Sequence, residues 1–312
     1  MNNEVELAPV ALFCYNRPQL TSKTLKALEL NDLARQTNLY VFIDGPKVAT
    51  DKQKIEEIIK IVKSLKGFKK VNIIQSPVNK GLANSIITGV TEIIKKYNKV
   101  IVLEDDLITH SSFLSYMNKA LRYYKDKSNI WSISGYTPNM ELPDDYQEDV
   151  FVTLRGSSWG WATWKDRWEL IEWEWGKKDF DEIFSKKKDL DLVGEDIYYL
   201  TKDYKEKLID SWAIRWTNAQ FKFNKYTVFP RHTFVQNEGF GSDSTHGSLS
   251  SKFKTKLSKQ NIEFNLVDVT YQLEIERLYA NLYKLEFHNK ISIFLKRIKI
   301  YKLMKKILKK IR

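Results

Sequence analysis

Lys99-Val100-Ile101-Val102-Leu103-Glu104-Asp105-Asp106 decides how this chain is read. Four apolar residues in a row predict a short strand buried on both faces. The strand delivers three consecutive carboxylates to its carboxyl end, the edge where open α/β sheets bind their ligands. Carboxylates packed this closely repel one another, and a bound divalent cation offsets that cost. Mg2+ or Mn2+, held by one or two carboxylates and completed by phosphate oxygens and water, suits such a cluster. The plainer alternative is a solvated acidic turn.

Outward from this strand, the pattern alternates. Val10 to Tyr15 is a second apolar run, followed by Pro18 at a first helical turn and by Leu20, Leu25 and Leu28 at roughly helical spacing. Leu39 to Ile43 predicts a strand stopped by Asp44-Gly45-Pro46, and Val71 to Ile74 another. Ile55, Ile58, Ile59, Val62 and Leu65 mark one amphipathic helix; Leu82, Ile86, Val90, Ile93, Ile94 and Tyr97 mark a second. Ser112 is placed to cap a helix through Tyr124, with a strand following around Trp131 to Ser134. Strands alternating with helices argue for a largely parallel sheet covered on its faces. Asn16-Arg17, Asp44 and the acidic triplet then open on one edge. There Arg17 suits a diphosphate and Asp44 a ribose or base, although turn chemistry explains each residue singly. Asn84, in the first turn after Gly81, is placed to reach the same crevice. A Walker phosphate loop and a dinucleotide fingerprint are both missing, which argues against a P-loop kinase or a nicotinamide enzyme.

The chain has 312 residues, 43% hydrophobic and 29% charged, an ordinary globular balance that excludes disorder and fibres. No apolar stretch approaches about 18 residues, so no spanning helix is expected. Met1 to Leu7 carries acids and no apolar core, so no secretory signal is expected. A single cysteine, Cys14, excludes a disulfide framework and suits a reducing cytosol. The net charge of +12 is a tail property. Residues 290–312 carry ten of the 51 Lys and Arg and no acid, leaving 41 basic against 39 acidic residues before them. A nearly neutral body weakens any nucleic-acid reading.

Beyond Gly135 the texture changes. Six of the nine tryptophans fall between Trp159 and Trp175. Large rings wedged between helix and sheet are the expectation for the set, with Trp159 and Trp161 the exceptions placed to line an acceptor-sugar cleft. The expected division is a catalytic domain over 1–250, its nucleotide-binding half about 1–135 and its acceptor half about 136–250. A helical extension over 251–312 would end in the basic tail. In that tail Ile300, Met304, Ile307, Leu308 and Ile311 share one helical face and lysines fill the rest, a pattern for anionic membrane surfaces or for a partner helix.

Taken in order, these motifs resemble the GT-A glycosyltransferases, most closely the branch typified by N-acetylglucosaminyltransferase I. The N-terminal half and the Asn79/Gly81/Asn84 segment also look like the family-2-like bacterial transferases. The resemblance covers roughly residues 8–250. It runs through Tyr15-Asn16-Arg17, Asp44, Glu104-Asp105-Asp106-Leu107, Gly160-Trp161, Asp210-Ser211-Trp212 with Arg215, Pro230-Arg231, Phe240-Gly241 and Thr245-His246-Gly247. It implies an α/β GT-A fold, a Rossmann-like, mostly parallel sheet flanked by helices. Arg17 and Asp44 would contact the nucleotide, Glu104 and Asp105 would hold ribose and sugar, and Asp106 would bind manganese. Asn237 to His246, with Gly239, would close over the nucleotide-sugar, with His246 near the metal or in a plain loop hydrogen bond. Asp210 falls where that branch has its catalytic base, which implies inversion. One acid precedes Trp212 where the resembled enzymes carry two, and the Glu195-Asp196 pair stands as the alternative base.

The activity so implied is transfer of a sugar from a nucleotide-diphosphate donor, UDP-sugar by preference, to a glycan or lipid-linked glycan. Attachment would be peripheral, at the cytoplasmic face of the cell membrane. A sugar nucleotidyltransferase would want a Gly-rich loop directly after the first strand, where Asn16-Arg17-Pro18-Gln19 stands. A non-catalytic nucleotide- or glycan-binding module at the membrane is the rival of another class.

Overall fold

The computed structural model describes residues 6–239 and 253–286. The N-terminal half builds β1 (Val10–Cys14), α1 (Pro18–Glu29), β2 (Asn38–Ile43), α2 (Asp51–Ser64), β3 (Lys70–Gln75), α3 (Gly81–Tyr97) and β4 (Lys99–Glu104). These are the expected elements, within a residue or a few at each end. The chain continues through β5 (Leu107–Thr109), α4 (Phe113–Tyr123), β6 (Ile130–Ser134), β7 (Val150–Thr153), β8 (Trp161–Trp164) and α5 (Lys165–Trp168). Then follow α6 (Lys177–Ser185), α7 (Lys187–Val193), α8 (Glu195–Lys205), α9 (Trp212–Lys222), β9 (Tyr226–Pro230), β10 (Val235–Asn237) and α10 (Leu273–Asn281).

Eight strands form one sheet in the order β3-β2-β1-β4-β8-β6-β9-β7, with β8 antiparallel to both neighbours and β7 antiparallel to β9. The fold is therefore α/β, with a mixed, mostly parallel sheet flanked by helices. Side chains alternate across β1: Val10, Leu12 and Cys14 pack with α1, α2 and α4, whereas Ala11 and Phe13 face α3 and a block of tryptophans. Because β1, β2, β3 and β4 are parallel, their carboxyl ends open on one side.

Three differences from the sequence reading matter. Trp161 and Trp164 lie on a strand, β8, inserted between β4 and β6, and the register Val102↔Trp161 ties the tryptophan segment to the acidic strand. Ser112 occupies the N-cap position of α4 but makes no capping bond; its hydroxyl donates to Asn261 at 3.1 Å. Among the described residues, the extension is helical only in α10. Residues 253–272 run instead as a strap across the body, joined by His110 to the Gln260 carbonyl, Tyr124 to the Val267 carbonyl and Asn265 to Asp149. The strap belongs to the body's packing, with Ile262, Phe264 and Val267 lying against its core.

Candidate active site at the carboxyl edge of the sheet

The parallel register sets Phe13 beside Glu104, so the loop after β1 reaches the acidic triplet. Arg17 closes that approach. Its Nη2 and Nε bond the Asp105 carboxylate, and its Nη1 donates to Asp106 Oδ2 at 2.9 Å. The acids are held from behind: the Asp105 carbonyl accepts the Thr24 hydroxyl at 2.9 Å, and the Asp106 carbonyl accepts Glu238 N–H at 2.8 Å.

Glu238 arrives by a short antiparallel pairing of β10 with β5, in which Asn237 lies opposite Leu107. Asn237 turns back to accept Gly239 N–H at 2.6 Å, and any side chain at Gly239 would run into the Asp106 carboxylate. The missing Cβ lets the backbone approach the acid closely there. Gly160, at φ +65°, has a similar role just before β8, where an added Cβ would meet Val235, Leu103 and Phe113.

Burial and the two neighbouring carboxylates push Glu104 up to about 8. Burial raises Asp105 to about 6, with Arg17 opposing the shift. The crowded carboxyls thus resist full ionisation together, even with a guanidinium beside them.

Asp44 sits at the end of β2, 8% exposed, and ties two loops together. It accepts from Gly45 N–H at 2.9 Å, Lys80 N–H at 2.8 Å and Gly81 N–H at 3.0 Å. Asn84 does not join it, since its amide donates to the Lys80 carbonyl at 3.1 Å, within the first turn of its own helix.

The sequence reading missed Asp51. This residue accepts from the Tyr15 hydroxyl at 2.5 Å, Asn16 Nδ2 at 2.8 Å, Lys47 N–H at 3.0 Å and Val48 N–H at 2.9 Å. Four donors, chiefly Tyr15 and Asn16, hold its carboxyl below the usual range. It staples the loop after β2 to the loop after β1. An aspartate opening a helix after a Gly-Pro turn was the available signal, but Tyr15 and Asn16 lie 36 and 35 residues away.

Trp131, Trp161, Trp164, Trp168, Trp212 and Trp216 are core, and Trp159, Trp173 and Trp175 are partly buried. Trp161, 1% exposed, stacks on Trp212 at 5.0 Å and Trp168 at 5.9 Å, so it cannot line a cleft as expected. Its neighbour Trp159 is half-buried and meets Tyr136 edge-on at 4.5 Å. The Trp212–Trp161 stack also brings the start of α9 toward β4, because Trp161 pairs with Val102.

Asp210, two residues before that start, is mostly exposed and paired with Arg215 at 2.8 Å, not set among apolar neighbours. Asp196 is bound through both oxygens to Arg155, at 2.7 and 2.9 Å, and Glu195 accepts Leu285 N–H at 2.9 Å. Phe240, Gly241, Thr245, His246, Gly247 and the tail 290–312 lie outside the described residues.

No protein-family model and no curated protein matches this sequence. Solved structures resemble the chain only at low identity and with low TM-scores. TarS of S. aureus in complex with UDP-GlcNAc is 14% identical, with a TM-score of 0.41 over 73% of this chain and 57% of that one. The galactosyltransferase LgtC with donor and acceptor sugar analogues is 11% identical, with a TM-score of 0.37 over 68% of this chain and 70% of that one. The mannosyltransferase PcManGT of Pyrobaculum calidifontis with GDP-Man and Mn2+ is 12% identical, with a TM-score of 0.36 over 52% and 46%. The chain thus spans about half of the PcManGT chain and 57% of the solved 1–349 portion of TarS.

Proposed function

We propose that this chain is a metal-dependent, inverting glycosyltransferase of the GT-A type. It would move a hexosyl or N-acetylhexosaminyl group from a nucleotide-diphosphate donor, UDP-sugar by preference, to a glycan hydroxyl in bacterial cell-surface polysaccharide synthesis. One observation carries the reading: Arg17, Asp105, Asp106 and the Asn237–Gly239 turn converge at the carboxyl edge of a mostly parallel sheet. That is a site for a diphosphate and its counter-ion.

The donor set suits Mg2+ or Mn2+. It is all oxygen, and no three His, Cys, Asp or Glu side chains converge as a complete cage among the described residues. Asp106 would be the direct protein ligand, leaving the other positions to phosphate and water. The bound ion would neutralise charge developing on the leaving diphosphate. Arg17 presents a planar fork to phosphate. Asp44 and Asp51 fix the loops that floor the nucleotide site. Asp210 would take the proton of the acceptor hydroxyl, with Arg215 orienting its carboxylate. Its exposure and its one unpaired oxygen in the Arg215 pair favour it over Asp196, both of whose oxygens Arg155 holds.

A thermal-shift panel of UDP, GDP, CMP and dTDP, each with and without Mn2+, tests the assignment on wild type and Asp106→Ala. One nucleotide at a hundred times its dissociation constant should add about 2.7 kcal/mol of stability in wild type with Mn2+, and much less in the variant. No response to any nucleotide would sink the transferase reading.

Attachment to an anionic membrane surface at the cytoplasmic face, for a glycan or lipid-linked acceptor, is assigned to the basic residues 290–312. No helix among the described residues is long and apolar enough to cross a membrane. Deleting 290–312 should release the protein from anionic vesicles at low salt. Continued co-sedimentation of the truncated chain would place the anchor elsewhere.

A further inference from the structure

Resting on that reading, we propose that Arg17 is a placeholder cation. Without ligands its guanidinium stands where a metal ion would bear on Asp106, and loading of metal and diphosphate moves it from the carboxylates to phosphate.

The geometry separates what is fixed from what can move. Asp105 and Asp106 are 3% and 13% exposed at their side chains, and their carbonyls are held by Thr24 and Glu238. Arg17 is 41% exposed at its side chain, while its own carbonyl is pinned by Thr21 N–H and Thr21 Oγ1, both at 2.9 Å. Its backbone therefore stays, and only side-chain torsions separate the bound position from one swung outward. The carboxylates, on short and largely buried side chains, have less such freedom.

Charge supplies the reason for the exchange. A guanidinium at 2.9 Å from Asp106 Oδ2 and a divalent ion on the same oxygen repel, so they compete for it. A metal ion arriving alone must evict Arg17 with no new partner for its charge. Arriving with a diphosphate, it provides that partner, and the planar fork that fits a carboxylate also fits a phosphate. Metal and nucleotide should then reinforce each other, and Arg17 should carry some of the coupling.

The test is a titration of the full chain with Mn2+, followed by the electron paramagnetic resonance signal of the free ion, first alone and then with UDP. Arg17→Met should bind Mn2+ alone on the order of 10-fold more tightly than wild type, with a smaller further gain from UDP. Arg17→Lys should fall between them, since one ammonium cannot span both carboxylates; it decides the matter if Arg17→Met fails to fold. Equal Mn2+ affinity in wild type and the Arg17 variants, with binding abolished in Asp106→Ala, would overturn the exchange and leave the transferase reading standing. No Mn2+ binding by any form, with or without UDP, would take both down.

Discussion

Two arginine–aspartate pairs of the same chemistry do different work in this molecule. Arg17 meets Asp105 and Asp106 at the open edge of the sheet, with its own side chain 41% exposed. Arg155 meets Asp196 through two matched bonds, with both side chains under one-fifth exposed and the Tyr283 ring 3.4 Å from the guanidinium carbon. The second pair is saturated: one carboxylate, one fork, an aromatic cover. The first serves two carboxylates beside a third and leaves charge over. A saturated pair holds a structure together, and an undersupplied one at an open edge can exchange partners.

Arg155→Ala gives the sharpest contrast. Removing the guanidinium strands the Asp196 carboxylate in a largely buried place and strips the cover from Tyr283, which should cost about 3 kcal/mol in urea unfolding. Mn2+ should not restore that loss, whereas it should stabilise Arg17→Met. If nucleotide affinity falls as far as stability in Arg155→Ala, the two pairs are not distinct and Arg155 belongs to the site.

A smaller effect separates α10 from the edge. Glu276, on α10, is fully buried, accepts Leu154 N–H at 2.8 Å with one oxygen and has no partner for the other. Burial raises its carboxyl from 4.5 to about 7. A raised folded-state value favours the protonated form, so its contribution is full below the unfolded value and fades as pH rises through about 7. Wild type should therefore lose on the order of 2 kcal/mol, relative to Glu276→Gln, between about pH 4.5 and 8. Parallel pH–stability curves for the two proteins would show that α10 carries no such strain.

Much of this was legible residue by residue. The apolar runs at Val10, Leu39, Val71 and Val100, and the helical spacing between them, correspond to the four parallel strands and their crossover helices. Their order also put Arg17, Asp44 and Glu104–Asp106 on one edge. The second half was harder to read, because its strands are short and pair antiparallel or out of order. Trp161-Ala162-Thr163-Trp164 reads equally well as helix or strand, and only pairing with Lys99–Val102 on one side and with β6 on the other makes it β8. Ser112 looked like a cap because its type and position were right, but its hydroxyl is claimed by Asn261, 149 residues away.

The sequence by itself determined the local alternation that builds a parallel sheet, the carboxylate triplet at the end of its fourth strand, and the basic character of residues 290–312. Those are properties of neighbours in the chain, set by periodicity and composition. Tertiary structure alone decided that Arg17 pairs with Asp105 and Asp106, that Asp51 staples Tyr15 and Asn16, that Trp161 is walled into the core, and that Arg155 bonds both oxygens of Asp196. Each of these is a choice among partners far apart in sequence. Such choices follow from which surfaces are buried together, and no local pattern encodes them.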